Sequence, residues 1–236
     1  SDLLNDSKIF KNDKIPWLIG TTTKLGPFSF DMIGFSNSIV QELVNIPAFL
    51  IKSGIPVIRS ERMKNERIPI VLLGGANALH STAIWGKDAF VDGIFIGNDP
   101  ENIKEILRIV RDMRAEGVPK KGIIDRLSGV AGFILPDDPK SAKANQCGIK
   151  ANDVFEKGIV SYNLEQLGEA HLQISEGCRG ICSFCSESWN RKPYVEFSPD
   201  ILFEKALNLR TEMGIEKINL FSFNFNMYSH FYDLMH

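Results

Sequence analysis

Three cysteines crowd into eight residues of this 236-residue chain: Cys178, Cys182 and Cys185, in the run Cys-Arg-Gly-Ile-Cys-Ser-Phe-Cys. The fourth, Cys147, lies well upstream, and residues 1–146 hold none. A disulfide scaffold spreads its cysteines through a small secreted chain, so this crowding reads as a ligand set. Three thiolates on a glycine-containing loop can wrap one face of a cubane of iron and sulfur, whereas a cluster held wholly by protein takes four. Three leave one iron open to a substrate or cofactor. Two plainer readings stand beside this one. Zinc usually takes four ligands from separated Cys or His pairs, and the fourth would have to come from His171, Cys147 or another distant residue. Alternatively, the thiols are buried and inert. Cys147 is expected to stay outside any cluster because of its separation along the chain.

The elements around the cysteines must hold that loop. Ala170–Ile174 reads as a strand and Ser175–Pro193 as the loop. Ser198-Pro199 opens a helix to about Met213 with Gly214 at its end, and Lys217–Ser222 is the next strand. A complete β/α barrel needs about 200 residues, so residues 170–236 are expected to form only the first part of one. Earlier, residues 28–116 alternate strand and helix. The strands are Asp31–Ser36, Ile68–Leu73 and Val91–Ile96. One helix covers Ser38–Lys52, kinked or divided at Pro47. A second runs from Pro100 to Glu116, with Asp99 as N-cap and an apolar face of Ile103, Ile106, Leu107, Val110 and Met113. This alternation predicts an α/β fold with a doubly wound parallel sheet. Ligands of such sheets sit beyond the carboxyl ends of the strands, here Ser36, Gly74-Gly75 and Gly97-Asn98, although turn formation alone accounts for such residues. The expected domains are 1–116, a connector over 117–169 with short strands near Gly132–Leu135 and Ile159–Tyr162, and 170–236.

Composition narrows the classes. Hydrophobic residues make up 44% and charged residues 24%, which excludes a disordered, collagenous or coiled-coil chain. With 27 Lys and Arg against 29 Asp and Glu there is no general pull on nucleic acid or anionic membrane. No apolar run approaches the ~20 residues of a membrane span. The start, SDLLNDSKIF, has neither an initiator Met nor an apolar signal core, as in a cut chain, and a cytoplasmic location is expected. The basic run Arg59, Arg62, Lys64, Arg67 reads as a solvated face, and Phe221, Phe223, Phe225 and Tyr228 as core.

The C-x-x-x-C-x-x-C spacing, with Phe184 just before the last cysteine and a strand–loop–helix context, resembles the radical S-adenosylmethionine (radical SAM) superfamily over roughly residues 168–236. The resemblance implies a 4Fe-4S cluster on Cys178, Cys182 and Cys185. It also implies S-adenosyl-L-methionine on the open iron, an external electron donor of flavodoxin or ferredoxin type, and a deoxyadenosyl radical. The Gly-Gly-Glu common after the second barrel strand is replaced by Phe221-Ser222-Phe223-Asn224, which leaves Ser222 and Asn224 as cofactor-contacting candidates beside Phe184. An α/β domain ahead of such a core resembles the cobalamin-binding subclass. That likeness implies a cobalamin-binding-like, N-terminally incomplete sheet that holds the cobalamin tail at Ser36, Asn37, Gly74, Gly75, Asn77 and Gly97. The Asp-x-His-x-x-Gly signature of cobalt-ligating enzymes is missing, and His80 is expected not to ligate cobalt. The leading function is then cobalamin-dependent methyl transfer to an unactivated carbon. The alternatives are a radical SAM enzyme without cobalamin, such as a methylthiotransferase, whose first domain carries three further cysteines, or a non-catalytic module stapled by zinc or a cluster.

Overall fold

Short apolar runs closed by small residues become the strands of the first of two units, residues 1–145 and 146–236. A computed structural model describes residues 2–78, 86, 88–97, 99–138, 168–185 and 187–235. After helix α1 (Asp2–Asn12), strands β1 (Met32–Ser36), β2 (Ile70–Gly74) and β3 (Gly93–Phe95) run parallel, and β4 (Phe133–Ile134) adds antiparallel to β3. The order in the sheet is β1-β2-β3-β4. Alternate strand residues face opposite layers. Val71, Leu73 and Ile94 pack on Ile46 and Leu50 of α2 (Asn45–Lys52). Ile70, Leu72 and Phe95 pack on Ile106 and Val110 of α4 (Pro100–Ala115) and Ile123, Ile124 and Leu127 of α5 (Lys120–Leu127). Helices therefore cover both faces, the arrangement that a parallel sheet requires. The strand order of a doubly wound sheet reverses at its ligand crevice; among the described strands it does not.

Three sequence expectations shift here. The helix expected over Ser38–Lys52 is a 3-10 turn (Val40–Val44) followed by α2, and Pro47 falls in the first turn of α2, where its missing N–H leaves no gap. On α4 the packed seam is Ile106, Ile109, Val110 and Met113, while Ile103 and Leu107 are exposed. Asp99 caps α4 as expected, its Oδ1 accepting the Glu101 N–H at 2.9 Å. Finally, α5 and β4 share the core of α4, so the first unit continues past residue 116; β4 is the strand expected near Gly132–Leu135. Ile159–Tyr162 lies outside the described residues.

Only Lys64 and Arg67 of the basic run are solvated; Arg59 and Arg62 turn inward. Arg62, on the single-turn helix α3 (Arg59–Arg62), is 0% exposed and paired with Asp92, also 0% exposed. Its Nη2 donates to Asp92 Oδ1 at 2.9 Å, its Nε lies 3.1 Å from the same oxygen, and its Nη1 donates to Pro56 O at 2.9 Å and to Val57 O. Asp92 Oδ2 accepts the β2 amide of Val71 at 2.8 Å. Lys120 Nζ, buried beside this pair, donates to Arg62 O at 2.8 Å and Asn65 O at 2.9 Å. Arg59 reaches Asp137 at 2.7 Å.

The second unit is a strand–helix–strand. Strand β5 (Glu169–Gln173) pairs parallel with β8 (Lys217–Phe221), and α7 (Pro199–Met213) connects them. Ser198 caps α7 and Gly214 closes it. Leu172, Ile174, Phe197, Leu202 and Tyr228 form its core. The opposite strand face carries Glu169, His171, Gln173, Asn219 and a half-exposed Phe221. No helix among the described residues is long and apolar enough to cross a membrane.

Candidate functional site

The cysteines lie on the loop of a hairpin. Between β5 and α7, strand β6 (Ser175–Glu176) pairs antiparallel with β7 (Val195–Glu196), so residues 177–194 leave and return at one point. Gly177 makes that closure possible. Its φ is +76°, and a Cβ there would stand 2.3 Å from the Arg191 carbonyl oxygen on the returning stem. The Gly180 N–H points at Cys178 Sγ, 3.4 Å away, and a Cβ on Gly180 would lie 3.6 Å from Cys182 Sγ and 3.7 Å from Cys178 Sγ. Two thiols thus flank one small residue. The Cys185 N–H donates to Cys182 O at 3.2 Å, and the Trp189 indole (on α6, Glu187–Asn190) lies 3.4 Å from the same carbonyl. Cys182 is exposed, Cys178 and Cys185 are half-buried, and all three are free thiols. Among the described residues no three metal-ligating side chains are gathered closely enough for one ion. The donor set and the amide aimed at a sulfur nevertheless suit an iron–sulfur cluster, whose thiolates take such hydrogen bonds. Cys147 lies outside the described residues.

A polar clamp, absent from the sequence reading, holds this loop. Glu196 Oε1 accepts from Tyr194 Oη at 2.7 Å and from the amide and hydroxyl of Ser229, each at 3.1 Å. Arg179, between Cys178 and Cys182, reaches the same oxygen at 3.4 Å and lies 4.6 Å over the Tyr194 ring. Burial pushes the Glu196 carboxyl up, but the Tyr194 and Ser229 hydrogen bonds and the Arg179 charge outweigh it and hold the group below its usual range. Burial, with the Glu196 charge second, pushes the Tyr228 phenol up to about 12. On the other stem, Arg191 pairs with Glu176 at 3.1 Å and lies 4.7 Å over Phe223. The alternation in Tyr194-Val195-Glu196-Phe197, between Pro193 and the Ser198 cap, is the signal that could have revealed β7.

The remaining candidates divide. Ser222 follows β8, parallel to β5, and therefore sits at the sheet edge from which the cysteine loop leaves; its Oγ is buried and unpartnered among the described residues. Asn224 precedes the 3-10 turn Phe225–Met227 and accepts the Met227 amide at 3.1 Å. Phe184 is 90% exposed. Of the aromatic run, Tyr228 and Phe225 are core, whereas Phe221 and Phe223 are 46% exposed.

In the first unit, Ser36, Gly74 and Gly97 lie at or just beyond the carboxyl ends of β1, β2 and β3, Ser36 opposite Gly74. The turns there bond to one another. Asn37, 1% exposed, donates its N–H to Gly74 O at 2.8 Å and its Nδ2 to Ile39 O at 2.7 Å, and its own carbonyl accepts the Asn77 N–H at 3.1 Å. The Asn77 side chain donates to Ser38 O. Gly75 lets the backbone of the neighbouring turn come close. At φ +95°, a Cβ there would meet Asn37 O at 2.5 Å and Asn37 N at 2.6 Å, so the glycine serves the turn. His80 and Asn98 lie outside the described residues.

Comparison with known proteins finds methylthiotransferases among the relatives of this chain. The chain is 28% identical over 144 residues to the ribosomal protein uS12 methylthiotransferase RimO of Chlorobium limicola, covering 54% of this chain and 32% of that protein. It is 24% identical over 165 residues to the tRNA-2-methylthio-N(6)-dimethylallyladenosine synthase of Ehrlichia ruminantium, covering 70% of this chain and 31% of that protein. A second uS12 methylthiotransferase, of Chlorobaculum parvum, is 42% identical over 65 residues, 28% of this chain and 14% of that protein. The chain thus spans about a third or less of the length of these relatives. Because the family model described as "Radical SAM proteins, N-terminal" matches residues 5–136, more than half of the chain, the protein belongs to that family.

Proposed function

We propose that this chain carries the cluster loop of a radical SAM enzyme that acts without cobalamin, as the likeness to methylthiotransferases favours. The observation that carries the reading is the closed hairpin loop bearing Cys178, Cys182 and Cys185, with an amide directed at one sulfur. Those three thiolates would hold a 4Fe-4S cluster. Bound there with S-adenosyl-L-methionine, such a cluster supplies one electron for carbon–sulfur cleavage and hence a deoxyadenosyl radical. The chain's own residues orient and enclose. The β6–β7 ladder fixes where the loop leaves and returns, and Trp189 braces the Cys182 carbonyl. Ser222 offers a hydroxyl without a partner among the described residues at the same sheet edge, where a bound cofactor's polar group could be met. A flavodoxin- or ferredoxin-type protein would deliver the electron.

The group finally transferred is a separate matter. Residues 1–146 contain no cysteine, so the second cluster implied for methylthiotransferases finds no ligands in the first 146 residues. That observation keeps cobalamin-dependent methyl transfer as the second reading, with Ser36, Gly74 and Gly97 at the parallel strand ends as the candidate contacts of the cobalamin tail. Against it, the Asn37 and Asn77 backbones and the Gly75 turn already pack on one another.

The test is anaerobic reconstitution of the full chain with iron and sulfide, followed by S-adenosyl-L-methionine and dithionite. A brown protein with about four irons that releases 5′-deoxyadenosine supports the reading. A colourless zinc protein refutes it. Hydroxocobalamin retained through gel filtration would move the assignment to the second reading.

A further inference from the structure

We propose that Glu196 is a positioning residue for the cysteine loop and acts through Arg179; the inference rests on the cluster reading above. Arg179 is one of only three residues between Cys178 and Cys182, so whatever holds its side chain limits where those two thiols can go. Its guanidinium leaves the loop toward a carboxylate that is already fixed. Tyr194 Oη at 2.7 Å and the Ser229 amide and hydroxyl at 3.1 Å all converge on Glu196 Oε1 before Arg179 adds its contact at 3.4 Å. Tyr194 is the last loop residue before β7, and Ser229 lies in the turn that precedes α8 (Phe231–Met235), outside the loop. Tyr194 supplies the second half of the grip, its ring lying 4.6 Å from the Arg179 guanidinium carbon.

This differs from an ordinary surface ion pair. Two long, freely moving side chains in water gain little by meeting, because ordering both offsets the attraction. Here the Glu196 side chain is 14% exposed and immobilised by three other donors, and only the Arg179 side chain, 55% exposed, has to be ordered. Arginine suits the role because its planar fork can bond a carboxylate edge while stacking on a ring, which a lysine ammonium cannot do. The consequence falls on the loop. A thiol set that must be gathered from a wandering loop pays for that ordering when the cluster arrives, and a partly ordered one has paid already. Arg191 makes a comparable pair with Glu176, but it follows the last cysteine and constrains only the returning stem.

The full chain, reconstituted anaerobically with iron and sulfide, provides the test. Bound iron and the visible absorbance are followed during challenge with a ferrous chelator, and the thermal melt of the metal-free chain is recorded alongside. Supporting partners of metal ligands typically account for roughly 10–100-fold in metal retention. Arg179→Ala and Glu196→Gln are each expected to speed iron loss by roughly tenfold, the low end of that range. The metal-free melt of Arg179→Ala should match the wild type, since that side chain is half exposed. Arg179→Lys should recover only part of the retention, and the double variant should be no worse than either single one, because both break one link. Lys104→Ala, which breaks an exposed pair in the first unit, is the control. Wild-type retention in Arg179→Ala, full recovery in Arg179→Lys, or additive losses in the double variant would overturn the proposal while leaving the cluster reading intact. A wild-type chain that takes up no iron through the three cysteines overturns both.

Discussion

Replacing Arg62 by methionine keeps the bulk and the apolar stem of the side chain but strands Asp92 in a dry interior. The guanidinium contributes contacts to both Asp92 oxygens, at 2.9 to 3.2 Å, and bonds to the carbonyls of Pro56 and Val57. Without it, Asp92 keeps, among the described residues, the Val71 amide at 2.8 Å and the more distant Lys120 charge. Removing one partner of a buried pair costs about 3–5 kcal/mol, mostly the penalty of the charge left behind. At roughly 2–4 °C per kcal/mol for a unit of this size, the melting midpoint of the first unit should fall by roughly 6–20 °C. Differential scanning calorimetry resolves this, because the transition of the second unit has no share in the pair. Adding Asp92→Asn should recover most of the loss, since asparagine has no charge to strand and still offers an oxygen to the Val71 amide. Lys64→Ala, which breaks the exposed pair with Glu61, should move nothing measurable. A shift under about 3 °C in Arg62→Met would refute the reasoning, for the buried charge would then have found water or another partner.

Three other outcomes follow from particular contacts. Gly75→Ala should destabilise the first unit by about 1–3 kcal/mol in urea titration, because the positive φ and the Asn37 backbone leave no room for a methyl group; an unchanged midpoint would contradict that steric argument. Asp99→Ala should cost about 1 kcal/mol through the lost cap on α4, and Asp99→Ser should restore most of it. Burial, outweighing the attraction of Asp92 and Glu66, holds the Lys120 ammonium below its ordinary 10.5. Between that lowered value and 10.5 the unfolded chain binds more protons than the folded one, so the Lys120 contribution to stability rises with pH across that interval. The urea midpoint of wild type relative to Lys120→Met should therefore increase from pH 8 to pH 10, and a constant difference would contradict the burial argument.

The cysteine loop was legible because its signal is local. Spacing, a following N-cap and a flanking strand all lie within some thirty residues, and Ser198, Gly214 and both parallel strands fall where the pattern puts them. What escaped notice depends on distant partners. Glu196 and Ser229 lie far apart in sequence, and nothing in either segment alone says that one carboxylate gathers the loop and the turn before α8. Arg62 misled for the same reason: in sequence it sits among basic neighbours, yet Asp92, thirty residues on, draws it inside. Gly75 misled differently. The glycine marks a close approach, as sequence reasoning holds, and the structure brings the backbone of Asn37 to that point. The lack of a strand-order reversal among the described strands was equally hidden, because alternating strands and helices leave the order of the sheet undetermined.

Iron content across single cysteine substitutions tests the central claim most directly. Cys178→Ala, Cys182→Ala, Cys185→Ala and Cys147→Ala would each be reconstituted anaerobically in the full chain, with iron and zinc measured per chain. The account predicts about four irons in the wild type and in Cys147→Ala, and a large loss in each of the other three. Loss of iron in Cys147→Ala equal to that in Cys182→Ala, or one zinc per chain in place of iron, would contradict it.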